Sequence, residues 1–372
     1  MTPTHHLLCT VGTSLFNNLQ ALGAGHGLAR ACAEKRWGDV AAELARLPGE
    51  DRTCGAEINS IASMIAKGYF RGDGGLFFFH SATDDGRAIA GILREYYRGR
   101  GHAPVEAVEV PDLQDADAKR FRTKGLRNLA RAVCRVIRDY TPAACAINAT
   151  GGYKAQIAVA VLLGQALGVP VYYKHERFPE IIAFPPLPVA LDYEVWLRAS
   201  GMLFDLERSD EPVPYALYAE EWDEKYESLV ERVEIDGVEY LELTATGQIF
   251  HETFRERFRT ARDKELPPPA PRKQPPRLEQ AGWPGEHPEV RRFLERVTEE
   301  VPAVVQCATF YYNPDLPERT RFRLGSNGVE GVYSPGGYCV KFRVETTAQT
   351  PGQQAAVVAA LNEWLAGQGG GG

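Results

Sequence analysis

The stretch Asn148-Ala-Thr-Gly-Gly-Tyr-Lys154 joins a compact apolar run, residues 143–147, to Ala-rich helical text beginning at Ala155. Its polar members Asn148, Thr150, Gly151, Gly152 and Lys154 therefore fall at a strand-to-helix turn. Such a turn aims backbone N–H groups at the N-terminus of a helix, where a phosphate or another anion is favoured. The paired glycines let a ligand come close to the backbone, and Lys154 adds a positive charge. An ordinary strand–helix connection that needs Gly for its geometry would read the same way. The apolar run at residues 7–11 leads into a second unit of this kind, Gly12-Thr-Ser-Leu-Phe-Asn-Asn18. Gly12, Thr13, Ser14 and Asn17 can bond a ligand, or Ser and Asn can cap the helix that follows. A third apolar run, residues 75–79, is followed by His80-Ser-Ala-Thr-Asp-Asp-Gly86, which offers Ser81 and Thr83.

The elements that position these residues follow from apolar spacing. Helices are expected over residues 28–48, 57–65, 87–97 and about 121–140, and strands over 105–110 and 169–174. Strands alternating with helices at this spacing imply a parallel, doubly wound sheet. Ligands of such sheets bind beyond the carboxyl ends of the strands, where the strand order reverses. All three polar loops fall there, which favours the phosphate reading. The expected fold is α/β, with domains at 1–187, 188–262 and 286–366, a Pro-rich linker at 263–285 and a Gly-rich tail at 367–372.

The middle segment places helices at 191–199 and 219–229 before an alternating run, residues 233–243, centred on Asp236-Gly237. That dipeptide is a strong hairpin signal. Another helix follows, capped by a Thr. This order suggests a winged helix-turn-helix. Its many Asp and Glu residues argue against DNA binding and favour a connector or dimer role. The linker carries Pro267-Pro-Pro-Ala-Pro271 and Pro275-Pro276, a semi-rigid spacer composition. In the last segment a helix at 287–297 precedes strands at 305–312, 320–324 and 337–345, then a helix at 353–365. Arg319, Arg321 and Arg323 alternate onto one strand face, and Lys341 and Arg343 share one face of the next strand, with Tyr338 at its start. That face is either solvated or a basic surface for RNA phosphates.

Composition bounds these readings. The chain has 372 residues, enough for two or three domains. A net charge of −7 argues against bulk electrostatic binding of nucleic acid but allows a local basic site. Seven cysteines, with no CxxC pair, suit reduced thiols in a cytoplasm better than a disulfide frame or a zinc site. The N-terminal text reads as no signal peptide, and no apolar run reaches a membrane span.

Residues 1–185 resemble the CRISPR-associated Rossmann-fold (CARF) sensor domains. Thr10-Val-Gly-Thr-Ser14, Gly55-Ala-Glu-Ile-Asn-Ser60 and Asn148-Ala-Thr-Gly-Gly-Tyr-Lys154 carry the resemblance. It implies a homodimer that binds a cyclic oligoadenylate across its two-fold axis, cyclic tetra-adenylate (cA4) ahead of the hexa-adenylate (cA6). No cofactor besides this activator is implied. The segment ending Leu243-Thr-Ala-Thr-Gly247 resembles the winged helix that trails such sensors. No His is preceded by Arg at the spacing of a HEPN ribonuclease. The (Asp/Glu)-x-Lys strand of a metal-dependent nuclease has no full counterpart, since Val329-Glu-Gly-Val332 lacks the Lys. Through Arg321-Phe-Arg-Leu-Gly325 and Gly337-Tyr-Cys-Val-Lys-Phe-Arg-Val344 the last domain resembles the RelE mRNA interferases. That resemblance implies metal-free cleavage of mRNA on the ribosome, with Arg319, Arg321, Arg323, Tyr338, Lys341 and Arg343 as the catalytic set. Cys339 stands where relatives carry Arg, and the basic, aromatic C-terminal tail is missing. A ligand-responsive DNA-binding regulator and a metal-dependent CARF nuclease are the alternative functions. A sensor that degrades its own ligand at Thr13, Ser14 and Lys154 is a third.

Overall fold

The computed structural model describes residues 2–175, 178, 180–188, 191–209, 211–278, 287–315 and 318–368. The chain forms two compact units: Met1–Leu191 with Thr244–Thr253, and Asp192–Leu243 with Phe254–Gly372.

The first unit runs β1 (Thr4–Thr10), α1 (Ser14–Ala21), α2 (Gly27–Ala33), α3 (Trp37–Leu44), α4 (Gly55–Ala66), β2 (Phe70–Ser81), α5 (Asp84–Arg98), β3 (Val105–Val110), α6 (Ala118–Arg120), α7 (Leu126–Tyr140), β4 (Cys145–Asn148), α8 (Lys154–Leu167), β5 (Val171–Lys174) and β6 (Ile181–Phe184). The sheet order is β3-β2-β1-β4-β5-β6. The first five strands are parallel, and β6 closes the edge antiparallel to β5. Central strands of such a sheet are covered on both faces and so read as continuous apolar text. Leu7 and Cys9 of β1 and Leu76 and Phe78 of β2 pack with α1, α4 and α5. Leu8, Phe77 and Phe79 face the other way, onto α7 and α8. β6 escaped the sequence reading because it is short and mostly exposed, with no buried face to impose alternation.

The second unit begins with α9 (Tyr193–Arg208), which outruns its expected end at residue 199. Strand β7 (Val213–Pro214) follows, then β8 (Val230–Ile235) and β9 (Val238–Leu243), ordered β7-β9-β8. Asp236 and Gly237 both take positive φ, 52° and 77°, as a two-residue hairpin turn of this kind requires. The helix expected over 219–229 is instead a chain of 3-10 turns, Tyr215–Leu217, Ala219–Glu221 and Glu224–Ser228. Tertiary contacts override propensity there. The Tyr218 hydroxyl donates to buried Asp205, Asp223 caps its own turn, and the Arg232 guanidinium lies over the rings of both Tyr215 and Trp222. Helix α10 (Ala245–Glu265) is capped by the Thr244 hydroxyl, which accepts from the Gly247 N–H.

The remaining elements are α11 (Pro288–Glu300), β10 (Val304–Asn313), β11 (Arg321–Gly325), β12 (Gly328–Tyr333), β13 (Cys339–Thr346) and α12 (Pro351–Gln368). The four strands form an antiparallel sheet, β10-β13-β12-β11. The expected linker does not behave as a spacer where it is described. Gln274 and Arg277 donate from their backbone to Val305 and Cys307, and Thr309 donates back to Arg277, so this stretch lines the edge of β10. Residues 279–285 of the expected linker, residue 286 at the start of the last expected domain, and 369–372 of the expected tail lie outside the described residues. Among the described residues no helix is long and apolar enough to cross a membrane.

Strand β11 sits at the other edge of this sheet, and its backbone is satisfied by a side chain. Fully buried Asn362 of α12 accepts from the Phe322 N–H at 3.1 Å and donates to the Phe322 carbonyl at 2.8 Å. Replacing it with the near-isosteric Leu leaves both groups buried without a partner. Asn362→Leu is expected to cost about 2–4 kcal/mol, measured by urea unfolding, on the scale of one to two orphaned buried groups.

Candidate functional site

The loops after β1 and β4 meet backbone to backbone. A Cβ built on Gly12 would lie 2.5 Å from the Gly152 nitrogen. One on Gly151 would lie 2.7 Å from the Thr10 carbonyl and closer still to the Glu57 carboxylate. Gly152 takes φ +95°. These three glycines are therefore needed for loop-on-loop packing. Glu57 of α4 is buried between the loops. It accepts the Gly12 N–H at 2.7 Å and lies 3.5 Å from the Ser14 hydroxyl. Ser14 in turn accepts the Ala56 N–H at 3.0 Å, which ties the start of α1 to α4. Buried Asn148 donates to Ser60 at 2.7 Å and accepts from Thr150 at 2.6 Å. The Thr150 hydroxyl accepts the Lys174 N–H at 3.1 Å, which joins the ends of β4 and β5.

A cavity of about 680 Å³ opens at these carboxyl ends. Ser14 and Thr150 line it together with Asn18, Arg52, Asn59, Ser63, Lys174 and His175. Asn59 and Ser63 stand one helical turn apart on α4, beside Ala56. Two cations, two amides and three hydroxyls give a site able to hold an anion with several hydroxyl groups. Among the described residues, Glu50 is the one carboxylate in this lining.

The other expected residues stand elsewhere. Gly12, Asn148, Gly151 and Gly152 build the floor behind the cavity rather than its lining. Thr13, Asn17 and Lys154 are exposed and do not line it. Ser81 and Thr83 bond each other at 2.8 Å, and Thr83 caps α5 by accepting the Gly86 N–H at 3.1 Å. Sequence reasoning missed Arg52, Asn59, Ser63, Lys174 and His175. Lys174 carried a usable signal, since it ends a parallel strand as Asn148 does. His175 follows it directly, while Arg52, Asn59 and Ser63 come from α4 and the turn before it, which only the packed fold brings to the strand ends.

In the second unit the register places Arg321 beside Val332 and Lys341, and Arg323 beside Glu330 and Arg343. These four basic side chains thus share one sheet face, opposite Phe322 and Phe342 in the core. Most of them are engaged. Arg319 pairs with Asp205 at 2.8 Å, Lys341 with Glu318 at 2.9 Å, and Arg323 with Glu220, Glu221 and Glu330 at 3.3–3.5 Å. Arg321 is 2% exposed, donates to the Leu217 carbonyl and lies over the Tyr218 ring. Arg343 is exposed and lies over the Phe310 ring. Tyr338 points away from this set, its hydroxyl donating to Glu289 at 2.5 Å. Burial and the Glu289 carboxylate hold the Tyr338 phenol well above its usual range. Among the described residues no three His, Cys, Asp or Glu side chains are grouped as a metal's ligands would be.

Residues 52–187 match the family model described as "CRISPR-associated protein (Cas_APE2256)". The matched span holds Arg52, Asn59, Ser63, Thr150, Lys174 and His175. No curated protein sequence matches the chain. Among solved structures, the chain is similar to Can2 from Sulfobacillus thermosulfidooxidans, solved in complex with cyclic tetra-adenylate, at 10% identity and a TM-score of 0.24. The match covers 70% of this chain and 66% of that one, just under two thirds of its length. A TM-score of that size does not superpose the two folds.

Burial raises the Glu57 carboxyl above its ordinary range, against the pull of the Gly12 and Ser14 hydrogen bonds. A raised folded-state value means that the stability linked to this group is present below the unfolded value, about pH 4. It is lost as pH rises through the folded value. Glu57→Gln keeps an acceptor for Gly12 and cannot ionise. The stability of the variant relative to wild type should therefore improve as pH climbs from about 4 towards neutrality. Urea unfolding across that range checks it, and parallel curves would remove the assigned cause.

Proposed function

We propose that the cavity is the receptor site for a cyclic oligoadenylate and that its occupation switches on RNA cleavage by the C-terminal sheet. The observation that carries the first half is the cavity itself, with Arg52 and Lys174 beside Ser14, Asn59, Ser63 and Thr150 at the strand ends. Charge-assisted hydrogen bonds from such groups suit phosphates, and the amides and hydroxyls suit ribose and base edges. The match of residues 52–187 to a CRISPR-associated family supports the same reading. Two chains pairing through this unit would place one ring across two such cavities, with cA4 as the activator favoured over cA6. Thr13, Asn17 and Lys154 would then serve from the rim.

The second half rests on the basic and aromatic side chains of β10 and β13. Lys341 lies over Tyr311 and Arg343 over Phe310, and both rings are more than one-third exposed. Exposed aromatics beside cations are stacking platforms for single-stranded nucleic acid. In the proposed reaction the RNA 2′-oxygen bonds to phosphorus and the P–O5′ bond breaks. The 2′-hydroxyl proton leaves to water, and the departing 5′-oxygen gains one. The products are a 2′,3′-cyclic phosphate and a 5′-hydroxyl. Lys341 and Arg343 would stabilise the extra negative charge on the phosphorus oxygens. Messenger RNA on a ribosome is the proposed substrate.

Calorimetric titration with cA4 should show one ring bound per two chains. Arg52→Ala and Lys174→Ala should each weaken binding about tenfold or more, as the loss of a charge-assisted contact does. Titrating Lys154→Ala in parallel decides whether the rim takes part. Arg343→Ala, at an exposed position, should leave binding and folding intact and slow cutting by about a hundredfold. No heat with either ring size would overturn the receptor reading.

A further inference from the structure

The basic face of the C-terminal sheet has two halves. At β10 and β13 it is open. A register shift between Thr309 and Tyr311 inserts Phe310 as an extra residue, which lets neighbouring rings serve the same face, over Arg343 and Lys341. At β11 and β12 it is covered by the 3-10 segment at residues 215–221. The Leu217 carbonyl, the Tyr218 ring and the Glu220 and Glu221 carboxylates lie on Arg321 and Arg323. Asp205 of α9 holds both the Tyr218 hydroxyl and Arg319.

The contact has the marks of one that can be given up. Arg321 Nε and Arg323 Nε are buried yet make no hydrogen bond among the described residues, and the ion pairs of Glu221 with Arg323 and of Arg321 with Glu318 are long, at 3.5 Å. Buried charges whose donors and acceptors are incompletely matched add little to stability and cost desolvation. Burial also pushes the Glu221 carboxyl up, against the pull of Arg323 and Arg321. The segment's own backbone is organised by short 3-10 turns, whose hydrogen-bond geometry is poorer than that of an α-helix, and its anchors are side-chain contacts through Tyr215 and Tyr218. Its ligands to the arginines are one carbonyl, one ring and two carboxylates. A single-stranded RNA offers the same chemistry as phosphate oxygens and base faces.

We propose that residues 215–221 are an internal mask, which occupies half of the RNA-binding face in place of the RNA backbone and must be displaced for RNA to bind along the whole face. This rests on the reading of the sheet as an RNA-binding face, and it assigns the acidic segment a partner within the same unit. Displacement exposes Arg321 and Arg323 beside the open half at Lys341 and Arg343, and it extends the basic track from β13 to β11.

The test measures the affinity of a short fluorescein-labelled oligouridylate for the full chain, by anisotropy, without activator. Glu220→Gln/Glu221→Gln should bind it about tenfold tighter than wild type, the scale of two partly screened ion pairs. Glu224→Gln/Glu227→Gln makes the same charge change in the 3-10 turn that follows, away from these arginines, and should gain much less. Should the double variant melt early, Glu220→Gln alone serves, because that side chain is 82% exposed. Equal affinity in wild type and folded mask variants overturns the mask, as does an equal gain in the control. Cleavage assays with cA4 report separately. A gain in affinity with no cutting by any protein would sink the nuclease reading and leave the mask standing. Cutting by activated wild type with no gain in the variants would do the reverse.

Discussion

The backbone contact between Gly12 and the Gly151-Gly152 pair is the constraint on which the first unit depends. It brings the loops after β1 and β4 into direct backbone contact. It also leaves one buried carboxylate, Glu57, as the partner of the Gly12 N–H. Because α4 supplies that carboxylate, the helix is fixed against both strand ends. Asn59 and Ser63, on the same helix, are thereby delivered to the cavity wall. The glycines thus act on the protein's own backbone, and the space for a ligand opens beside them.

Much of this was legible in the sequence for a physical reason. A parallel sheet buries both faces, so its strands show as apolar runs, and its ligand loops follow their carboxyl ends. Ser14 and Thr150 were found in that way. Residues that reach the cavity from α4 or from the turn before it, such as Arg52 and Asn59, leave no such local mark. Lys154 reads as a phosphate ligand by position, yet its side chain is exposed outside the lining. Strand β6 and the 3-10 turns of residues 215–228 were missed because edge exposure and tertiary contacts, rather than local propensity, set their conformation. The Asp236-Gly237 hairpin was legible because positive φ at both positions is a local demand.

The acidity of the middle segment takes on a meaning that composition alone does not give it. Alternation placed the arginines on one face of their strand and Lys341 with Arg343 on one face of theirs, and the strand register makes Arg321, Arg323, Lys341 and Arg343 share a face. It could not show that Asp205, Glu220, Glu221, Glu318 and Glu330 gather against them. Some of these carboxylates lie about a hundred residues away in sequence, so the pairing belongs to the fold. The same segment that looked too acidic for DNA is the counter-charge of the sheet behind it.

In the proposed function a cyclic oligoadenylate turns this chain into a ribonuclease. Its most direct test is a reconstituted translation reaction containing a defined mRNA, run with and without cA4, with the 5′ ends of the fragments mapped. Intact message is expected without the ring and discrete cuts with it, each leaving a 5′-hydroxyl. Message that stays intact with cA4 bound, or is cut equally without it, would overturn that function.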